Sequence, residues 1–247
     1  GRVSMSVGVY VDAHLGIAEQ ARMIEDAGFS HLWVYDSPLV FAEPYMAMLE
    51  AARATERIVI GPGVTQPHAR PPYATAQALG TLAKAAPGRV VLGMGIGNSA
   101  RWSLGMKPAS LRRMHEDIRV IQGLLRGETV TYREGDREQP IRFIHPEGRW
   151  LDLSHPIETW VSAFGPRGQA MAGADADAIF VRWEGPEALD AARRRADDAA
   201  REAGRDPSAL RMAVVFAVYP VEDEAELETE EARAALGPLV ISRLRYL

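Results

Sequence analysis

The most restrictive feature of this sequence is the alternation of short apolar runs with amphipathic segments. The apolar runs Leu32–Tyr35, Arg57–Ile60 and Val90–Met94 are continuous rather than alternating in polarity, as expected for parallel strands covered on both faces. Between the runs, apolar residues recur at helical spacing, as in His14–Gly28, which ends in a glycine. Successive strands are about 30 residues apart, the length of one βαβ unit, so a parallel sheet or barrel is predicted.

The rest of the chain continues the same alternation. We predict four more strands, at Ser4–Val11, Thr159–Ala163, Ala178–Arg182 and Met212–Tyr219. We predict further helices at Pro44–Thr55, Tyr73–Ala86, Ser110–Gly127, Gly168–Gly173, Pro186–Ala203 and in the final stretch Glu222–Leu247. The predicted fold class is α/β, a TIM-like (β/α)8 barrel in which seven strands are readable. We expect the eighth strand to lie outside these 247 residues, and a doubly wound open sheet is the structural alternative.

One segment, residues 129–156, breaks the alternation. It is polar and rich in turn residues, with short antiparallel strands predicted at Thr129–Tyr132 and Trp150–Leu153. We interpret it as an insertion between the fourth helix and the fifth strand of a single barrel domain that spans residues 1–247. A lid near the barrel mouth and a plain surface hairpin explain the segment equally well.

The composition excludes several kinds of site. The chain has no cysteine, which rules out disulfides, thiolate metal ligands and cysteine nucleophiles, and we predict no metal site. Its formal net charge of -5 argues against nucleic-acid and anionic-membrane partners. No run of about 18 apolar residues is present, so no membrane-spanning helix is predicted. The N-terminus shows no signal-peptide pattern, and the protein is therefore expected in the cytoplasm.

The active site of a (β/α) barrel lies at the carboxyl ends of the strands, where two loops are informative. Asp36 follows the second strand, and a carboxylate there can bind a ring nitrogen, relay a proton or simply cap a turn. Gly63, Val64 and Thr65 follow the third strand, where glycine would let the backbone approach a planar ring closely. From these residues alone, a simple tight turn is the favoured explanation of the second loop.

The loop after the fourth strand offers a candidate phosphate site. Gly95 and Gly97 belong to an alternating glycine run that leads towards a helix, followed by Asn98 and Ser99. Backbone N–H groups in such a run can bind a phosphate. The spacing differs from that of the dinucleotide motif GxGxxG, and the two polar residues can instead cap the next turn.

Further candidates follow the fifth and third strands. Gly165 and Pro166 precede a helix, with Arg167 as a nearby cation, so this segment is either a phosphate site or an ordinary helix start. His68 and Arg70 follow the third strand. A lone histidine is more often structural than catalytic, and the arginine can pair with a phosphate or with a surface carboxylate.

These segments together resemble the luciferase-like flavin-dependent monooxygenases and their deazaflavin relatives. An aspartate after strand two, Gly-Pro-Gly-Val-Thr after strand three, a glycine run after strand four and Gly-Pro after strand five recur in this order in that superfamily. Within it, Thr55–Arg70 and Leu92–Glu128 look most like the methylenetetrahydromethanopterin reductase branch. The resemblance extends from Val7 to about Asp223, and the segment ending in Leu-Leu-Arg-Gly-Glu is its most specific part.

The resemblance implies a TIM-like barrel that binds coenzyme F420 or FMN at its mouth, and a homodimer. In the deazaflavin members a non-prolyl cis peptide bond follows strand three, and the matching bond here is Gly63–Val64. Asp36 matches an aspartate near the deazaflavin ring. The residues that match the phosphate-side segments are Gly97, Asn98, Gly165 and Pro166.

Departures from the family pattern bear on the substrate. Pro71 stands where the reductase branch usually has a histidine. Ser37 and Trp102 stand where the sugar-phosphate dehydrogenase members carry a histidine and a glutamate. Sugar-phosphate dehydrogenase activity is therefore not expected, and the resemblance does not imply a pterin substrate either.

We predict an oxidoreductase that transfers hydride between F420 and a small organic substrate, with the cofactor supplying the chemistry. An FMN-dependent monooxygenase that uses reduced flavin and oxygen is the first alternative, and a non-catalytic cofactor-binding barrel is the second. A sugar-phosphate isomerase or aldolase is disfavoured, because Lys84 and Lys107 lie outside the strands. The candidate catalytic residues are Asp36 and His68. The residues expected to bind the cofactor are Asp36, Gly63, Val64, Thr65, Gly95, Gly97, Asn98, Ser99, Gly165 and Pro166.

Overall fold

Strands and helices alternate along the chain in the computed structural model, which describes residues 6–236. The strands are β1 (Gly8–Val11), β2 (His31–Val34), β3 (Val59–Pro62), β4 (Val91–Met94), β5 (Val130–Glu134), β6 (Arg137–Ile141), β7 (Glu158–Ser162), β8 (Ala178–Arg182) and β9 (Arg211–Val215). The helices are α1 (Ile17–Asp26), α2 (Pro44–Ala54), α3 (Pro72–Ala85), α4 (Asn98–Trp102), α5 (Leu111–Leu125), α6 (Pro166–Asp175) and α7 (Pro186–Glu202). Apart from the β5–β6 hairpin, these strands are the seven that the sequence predicts.

The seven barrel strands follow one another side by side. β1, β2 and β3 form a parallel sheet, and β4, β7, β8 and β9 form a second sheet in that order. Parallel bridges between Ile60 and Val90 and between Thr65 and Met94 join β3 to β4. The strand residues that point away from the barrel axis, such as Leu32, Leu92 and Ile179, are buried against the helices. This arrangement confirms the TIM-like fold class.

The third strand begins two residues later than predicted, and Glu25 provides the reason. Its buried carboxylate at the end of α1 accepts backbone N–H bonds from Glu56, Arg57 and Ile58 at 2.6–3.2 Å. These bonds hold the segment in a loop where the apolar sequence alone indicates a strand. The strand then runs on through Pro62.

The inserted segment is a hairpin, but its second strand is not where the sequence predicts it. β6 occupies Arg137–Ile141 rather than Trp150–Leu153. Gly135, with φ of 59°, allows the chain to turn back at once. Because most of β6 is exposed, it carries no apolar pattern from which a strand could be read. The hairpin packs against α5, where Val130 lies on Gly123, and against α3, where Tyr132 meets Tyr73.

The chain divides into two compact units, and the second unit begins at Val215. In the second unit, Glu224–Glu228 forms a 3-10 turn and residues 230–236 are helical. The predicted continuous helix from Glu222 is therefore wrong at its start, and its last part, residues 237–247, lies outside the described residues. β9 also ends at Val215 rather than at Tyr219. No helix within residues 6–236 is both long and apolar enough to cross a membrane.

Large aromatic rings fill the interior of the barrel. They come from β1, β2, β7 and β8: Trp33 lies 5.2 Å from Trp160 and 4.9 Å from Phe180, measured between ring centroids, and Tyr10 lies 6.4 Å from Trp33. β3 and β4, which lie between β2 and β7, contribute glycines at the matching level: Gly61 pairs with Trp33, and Gly93 pairs with Trp160. A methyl group on Gly93 would overlap the Pro62 carbonyl oxygen and lie 3.2 Å from the Trp33 ring. The large aromatic side chains of β2 and β7 therefore require glycine on the strands between them, because the interior is closely packed.

Candidate active site

Asp36, at the carboxyl end of β2, is the most buried charged residue of the candidate site. Only 2% of its surface is exposed. One carboxylate oxygen, Oδ2, accepts a hydrogen bond from Thr65 Oγ1 and another from Arg70 Nη1, each 2.6 Å long. The other oxygen, Oδ1, is buried and has no hydrogen-bond partner among residues 6–236. Asp36 therefore joins the loops after β2 and β3, and its Oδ1 can accept a further hydrogen bond.

Arg70 extends this network to the start of α2. Its second guanidinium nitrogen bonds the Glu43 carboxylate, whose own second oxygen caps α2 by accepting from the backbone of Met46 at 2.9 Å. The guanidinium also lies 4.7 Å from the centre of the Tyr45 ring. Burial, together with the Asp36 charge, raises the pKa of the Tyr45 hydroxyl. Arg70 is thus paired with two carboxylates, those of Asp36 and Glu43.

Thr65 connects the loops after β2, β3 and β4. Besides its bond to Asp36, its backbone N–H donates to the carbonyl of Gly93, and its own carbonyl accepts from the N–H of Gly95, each at 2.9 Å. These bonds join three successive loops at the carboxyl end of the strands, with Thr65 itself buried. The sequence prediction that these loops share one end of the fold agrees with this geometry.

The peptide bond between Gly63 and Val64 is cis, as the resemblance implies. A Cβ at Gly63 would lie 2.6 Å from Trp33 Cβ and 2.8 Å from Tyr10 Cε1, so glycine is needed there to pack the barrel interior. The Val64 side chain lies on β4, because a Cβ at Gly95 would come within 2.8 Å of Val64 Cγ2. Gly63 thus packs against the aromatic residues of the barrel interior, whereas Val64 packs against Gly95.

Gly97 precedes, and Asn98 and Ser99 begin, a short helix, α4, that the sequence prediction missed. Gly97 has φ of 78°, a left-handed conformation suited to glycine, and a Cβ there would lie 2.7 Å from Gln66 Cγ. Asn98 is half-buried and Ser99 is exposed. α4 was missed because five residues are too few to show a helical period.

Gly165 and Pro166 lie at the start of α6, directly after β7. Gly165 is the N-cap and offers no side-chain cap, so the first N–H groups of this ten-residue helix have no side-chain acceptor from the cap residue. Both residues and Arg167 are exposed. Phe164, one residue earlier, packs under the guanidinium of Arg182 at 4.1 Å. Within residues 6–236 and apart from its two chain neighbours, Gly165 has no atom within 4 Å of the position that a Cβ would take.

His68 lies apart from the buried network. It is exposed, and its backbone N–H donates to the side chain of Gln66 at 2.9 Å. Partial burial, with the charges of Arg101 and Arg113, lowers the pKa of its imidazole, which favours the neutral form. The structure brings Asp36, Thr65 and Gly95 into one network but leaves His68 at its rim.

Two features of the barrel were not predicted from the sequence. One is the Glu43–Tyr45 pair that completes the Arg70 network, for which the sequence offers no local signal. The other is the aromatic interior, whose signal is an aromatic residue at every second position of a strand, as at Trp33 and Tyr35.

A flavin or deazaflavin cofactor, with a planar ring and a phosphate-bearing tail, fits three features of this end of the barrel. The Val64–Thr65–Gly95 surface contains no charged side chain. The α6 N-terminus has no side-chain cap and can receive an anion. Asp36 Oδ1 is a buried acceptor without a partner. No cluster of His, Asp or Glu suited to a metal ion occurs among residues 6–236.

Comparisons with known proteins identify the family and the fold. The 5,10-methylenetetrahydromethanopterin reductase of Methanolobus tindarius is 29% identical over 231 residues, 93% of this chain and 68% of that protein. An F420-dependent glucose-6-phosphate dehydrogenase of Microbacterium testaceum is 30% identical, over 90% of this chain and 73% of that protein. A type II Baeyer-Villiger monooxygenase of Pseudomonas putida, solved with FMN, shares the fold at a TM-score of 0.76 and 19% identity, over 99% of this chain and 76% of that one.

The chain spans 64% to 68% of the length of the methylenetetrahydromethanopterin reductases that it matches. The family model described as luciferase-like monooxygenase matches residues 6–244, nearly the whole chain. The family resemblance and the expectation of an oxidoreductase are thereby confirmed. The chain belongs to the luciferase-like monooxygenase family.

Proposed function

We propose that this protein transfers hydride between coenzyme F420 and a small organic substrate at the carboxyl end of its barrel. The observation that carries the proposal is the position of Thr65, which is hydrogen-bonded to Asp36 on one side and to Gly93 and Gly95 on the other. These bonds make three loops into one preorganised surface of the kind that a planar cofactor requires.

The residues divide into a ring side and a phosphate side. Val64, Thr65 and Gly95 would support the ring, because they form the uncharged surface above the aromatic interior. The backbone of Gly97–Ser99 and the uncapped start of α6 would hold the phosphate-bearing tail. Bound F420 supplies a ring carbon that donates or accepts a hydride.

Asp36 and His68 have different tasks in this proposal. Asp36 is a positioning residue, because its buried carboxylate holds Thr65 and Arg70 in place and its free oxygen can accept one further hydrogen bond. His68 is the candidate for exchanging a proton with the substrate. It is exposed, and its lowered pKa favours the neutral imidazole, which can accept a proton at neutral pH.

The second candidate function is monooxygenation with reduced FMN and oxygen, favoured by the shared fold with the FMN-bound monooxygenase. Hydride transfer is preferred, because a relative whose activity is named as F420-dependent is 30% identical in sequence, whereas the FMN-bound structure matches in fold alone. We also propose that the protein forms a homodimer. Analytical ultracentrifugation, which gives the mass of the particle in solution, tests this.

The test compares the two reactions in one preparation. Reduced F420 is mixed with the protein under anaerobic conditions and with a panel of aldehydes, ketones and enones, and its reoxidation is followed by absorbance. Reduced FMN with oxygen and the same panel forms the second arm. We expect substrate-dependent reoxidation of F420 that needs no oxygen. Products formed only with reduced FMN and oxygen would replace the proposal by the second candidate, and turnover in neither arm would contradict both.

A further inference from the structure

A cavity of about 590 Å³ lies outside the barrel, between α3 and the inserted segment. α3 contributes Tyr73 and Gln77, the hairpin contributes Tyr132 and Ile141, and the segment 142–151 closes the far side. None of the candidate cofactor residues lines it. Its volume falls in the range of roughly 300–1,000 Å³ that is usual for small-molecule sites.

The hairpin wall is fixed to both helices. Gly123 of α5 lets β5 approach so closely that a methyl group there would overlap Val130 Cγ1. Two residues further along β5, the Tyr132 ring meets the edge of the Tyr73 ring on α3, with 5.3 Å between ring centroids and an angle of 89°. The hairpin is therefore held in place by two contacts, Val130 against α5 and Tyr132 against α3.

The opposite wall is fixed to the second half of α3. Lys84 Nζ donates to the backbone carbonyls of Gly148 and Arg149, the latter at 2.8 Å. The backbone N–H of Asp152 donates to the carbonyl of Gly80 at 2.9 Å, beside the buried side chain of Leu151. These contacts hold the segment away from the hairpin and keep the space between them open.

The lining is mainly aromatic and aliphatic. Phe143 and Leu151 are at least half-buried, whereas Ile144 is 83% exposed and Trp150 is 62% exposed. Side chains of this size are seldom left so open together without a partner. The charged groups of the lining include one carboxylate, Glu134, and one guanidinium, Arg142, so they favour neither an anion nor a cation. Gln77 and Gln139 add amide groups that can donate or accept hydrogen bonds.

We propose that this cavity is a second small-molecule site, separate from the barrel mouth, that takes a planar, uncharged aromatic compound. The aromatic walls suit a flat ring, the balanced charges disfavour an ion, and the amides suit one polar substituent. A protein partner fits less well, because a stable interface needs about 800 Å² on each side, and the surface that lines this site is much smaller.

The test uses the neutral fluorescent probe N-phenyl-1-naphthylamine, whose emission rises in apolar surroundings. It is titrated into the whole protein and into the variant Gln77→Trp, which places an indole in the cavity from an exposed helix position. Arg119→Trp is the matched control, because it adds the same side chain at an exposed position of α5 that does not line the cavity. Phe164→Ala reports binding at the barrel mouth.

We expect saturable binding of one probe per chain, weakened about tenfold or more by Gln77→Trp, a loss of roughly 1.4 kcal/mol or more. Arg119→Trp and Phe164→Ala should leave the affinity unchanged. Absence of saturable binding, equal affinity in Gln77→Trp, or a loss confined to Phe164→Ala would overturn the proposal. So would affinity that falls as the chain self-associates, because a second copy would then cover the cleft.

Discussion

The hydroxyl group of Thr65 donates a 2.6 Å hydrogen bond to Oδ2 of Asp36, although the two residues are 29 positions apart in the chain. The bond fastens the loop after β3 to the end of β2 at the point where Thr65 also pairs with β4. Thr65 thus links three strand ends, through its hydroxyl group to the end of β2 and through its backbone to β4, and removal of the hydroxyl group is an informative change.

Thr65→Val is expected to lower both stability and cofactor affinity. It keeps the shape of the side chain but leaves Asp36 without one of its two donors, and a buried acceptor deprived of a partner costs about 1–3 kcal/mol. Thr65→Ser keeps the hydroxyl group and is the control. Urea denaturation measures the stability, and F420 titration measures the affinity. Equal values for both variants would show that the hydrogen bond has no role.

The Asp36–Arg70 ion pair is expected to be coupled in a double-mutant cycle. Arg70→Met leaves a carboxylate that is almost fully buried without its cation, a change that costs about 3–5 kcal/mol when a buried pair is broken. Asp36→Asn in the same chain removes the unpaired charge, so the double variant should recover part of that loss. Unfolding free energies of the four proteins give the coupling. Simple additivity would contradict a direct pair.

Gly93→Ala is expected to destabilise the barrel by about 3 kcal/mol, the upper part of the range for overpacking. Its methyl group would overlap the carbonyl of Pro62 and press on Trp33. Gly165→Ala is the matched control, because no atom lies within 4 Å of its added methyl group and its φ of -111° suits any residue. Thermal denaturation compares the two. A tolerated Gly93→Ala would be inconsistent with the packing of glycine against the aromatic interior.

Asp117 on α5 is expected to make stability depend on pH. Burial raises its pKa to about 6, although Arg113 lies 3.0 Å away. Because folding raises this pKa, the favourable contribution is complete below the unfolded pKa of about 3.9 and is lost as the pH rises through about 6. Asp117→Asn should therefore be more stable than the parent by about 1–2 kcal/mol near pH 8 but not near pH 4. The measurement is urea denaturation at both pH values.

The exposed neighbour Glu116 provides the control for that experiment. Glu116→Gln removes one carboxylate from the solvent-facing side of the same helix and should change stability little at either pH. A stability gain for Asp117→Asn that is the same at both pH values would contradict titration of the buried carboxylate as its cause.

The sequence predicts most of the barrel because each strand and helix carries its own apolar period. The runs at Leu32–Tyr35 and Val90–Met94 match β2 and β4 within one residue. Where long-range contacts decide, the pattern does not suffice. Glu25, at the end of α1, accepts the backbone hydrogen bonds that make β3 begin later than its apolar pattern indicates. The mostly polar β6 is positioned by its pairing with β5.

The site was predictable to the level of loops but not of contacts. The order of Asp36, Gly63–Val64 and the glycine run placed these segments at one end of the fold, since the carboxyl ends of parallel strands meet there. The partners of Arg70 lie 34 and 27 positions away, and no local pattern encodes such a pairing. The packing of Gly63 against Trp33 Cβ and the Tyr10 ring is likewise a long-range contact that no local pattern encodes.

Hydrogen–deuterium exchange with and without F420 tests the central claim most directly, because it reports which backbone amides the cofactor covers. Under saturating F420, we expect slower exchange in peptides that span residues 63–66, 95–99 and 165–169, and unchanged exchange in residues 130–151. Protection confined to other segments, or no protection at concentrations where F420 is bound, would contradict a cofactor site built on Thr65 and the loops joined to it.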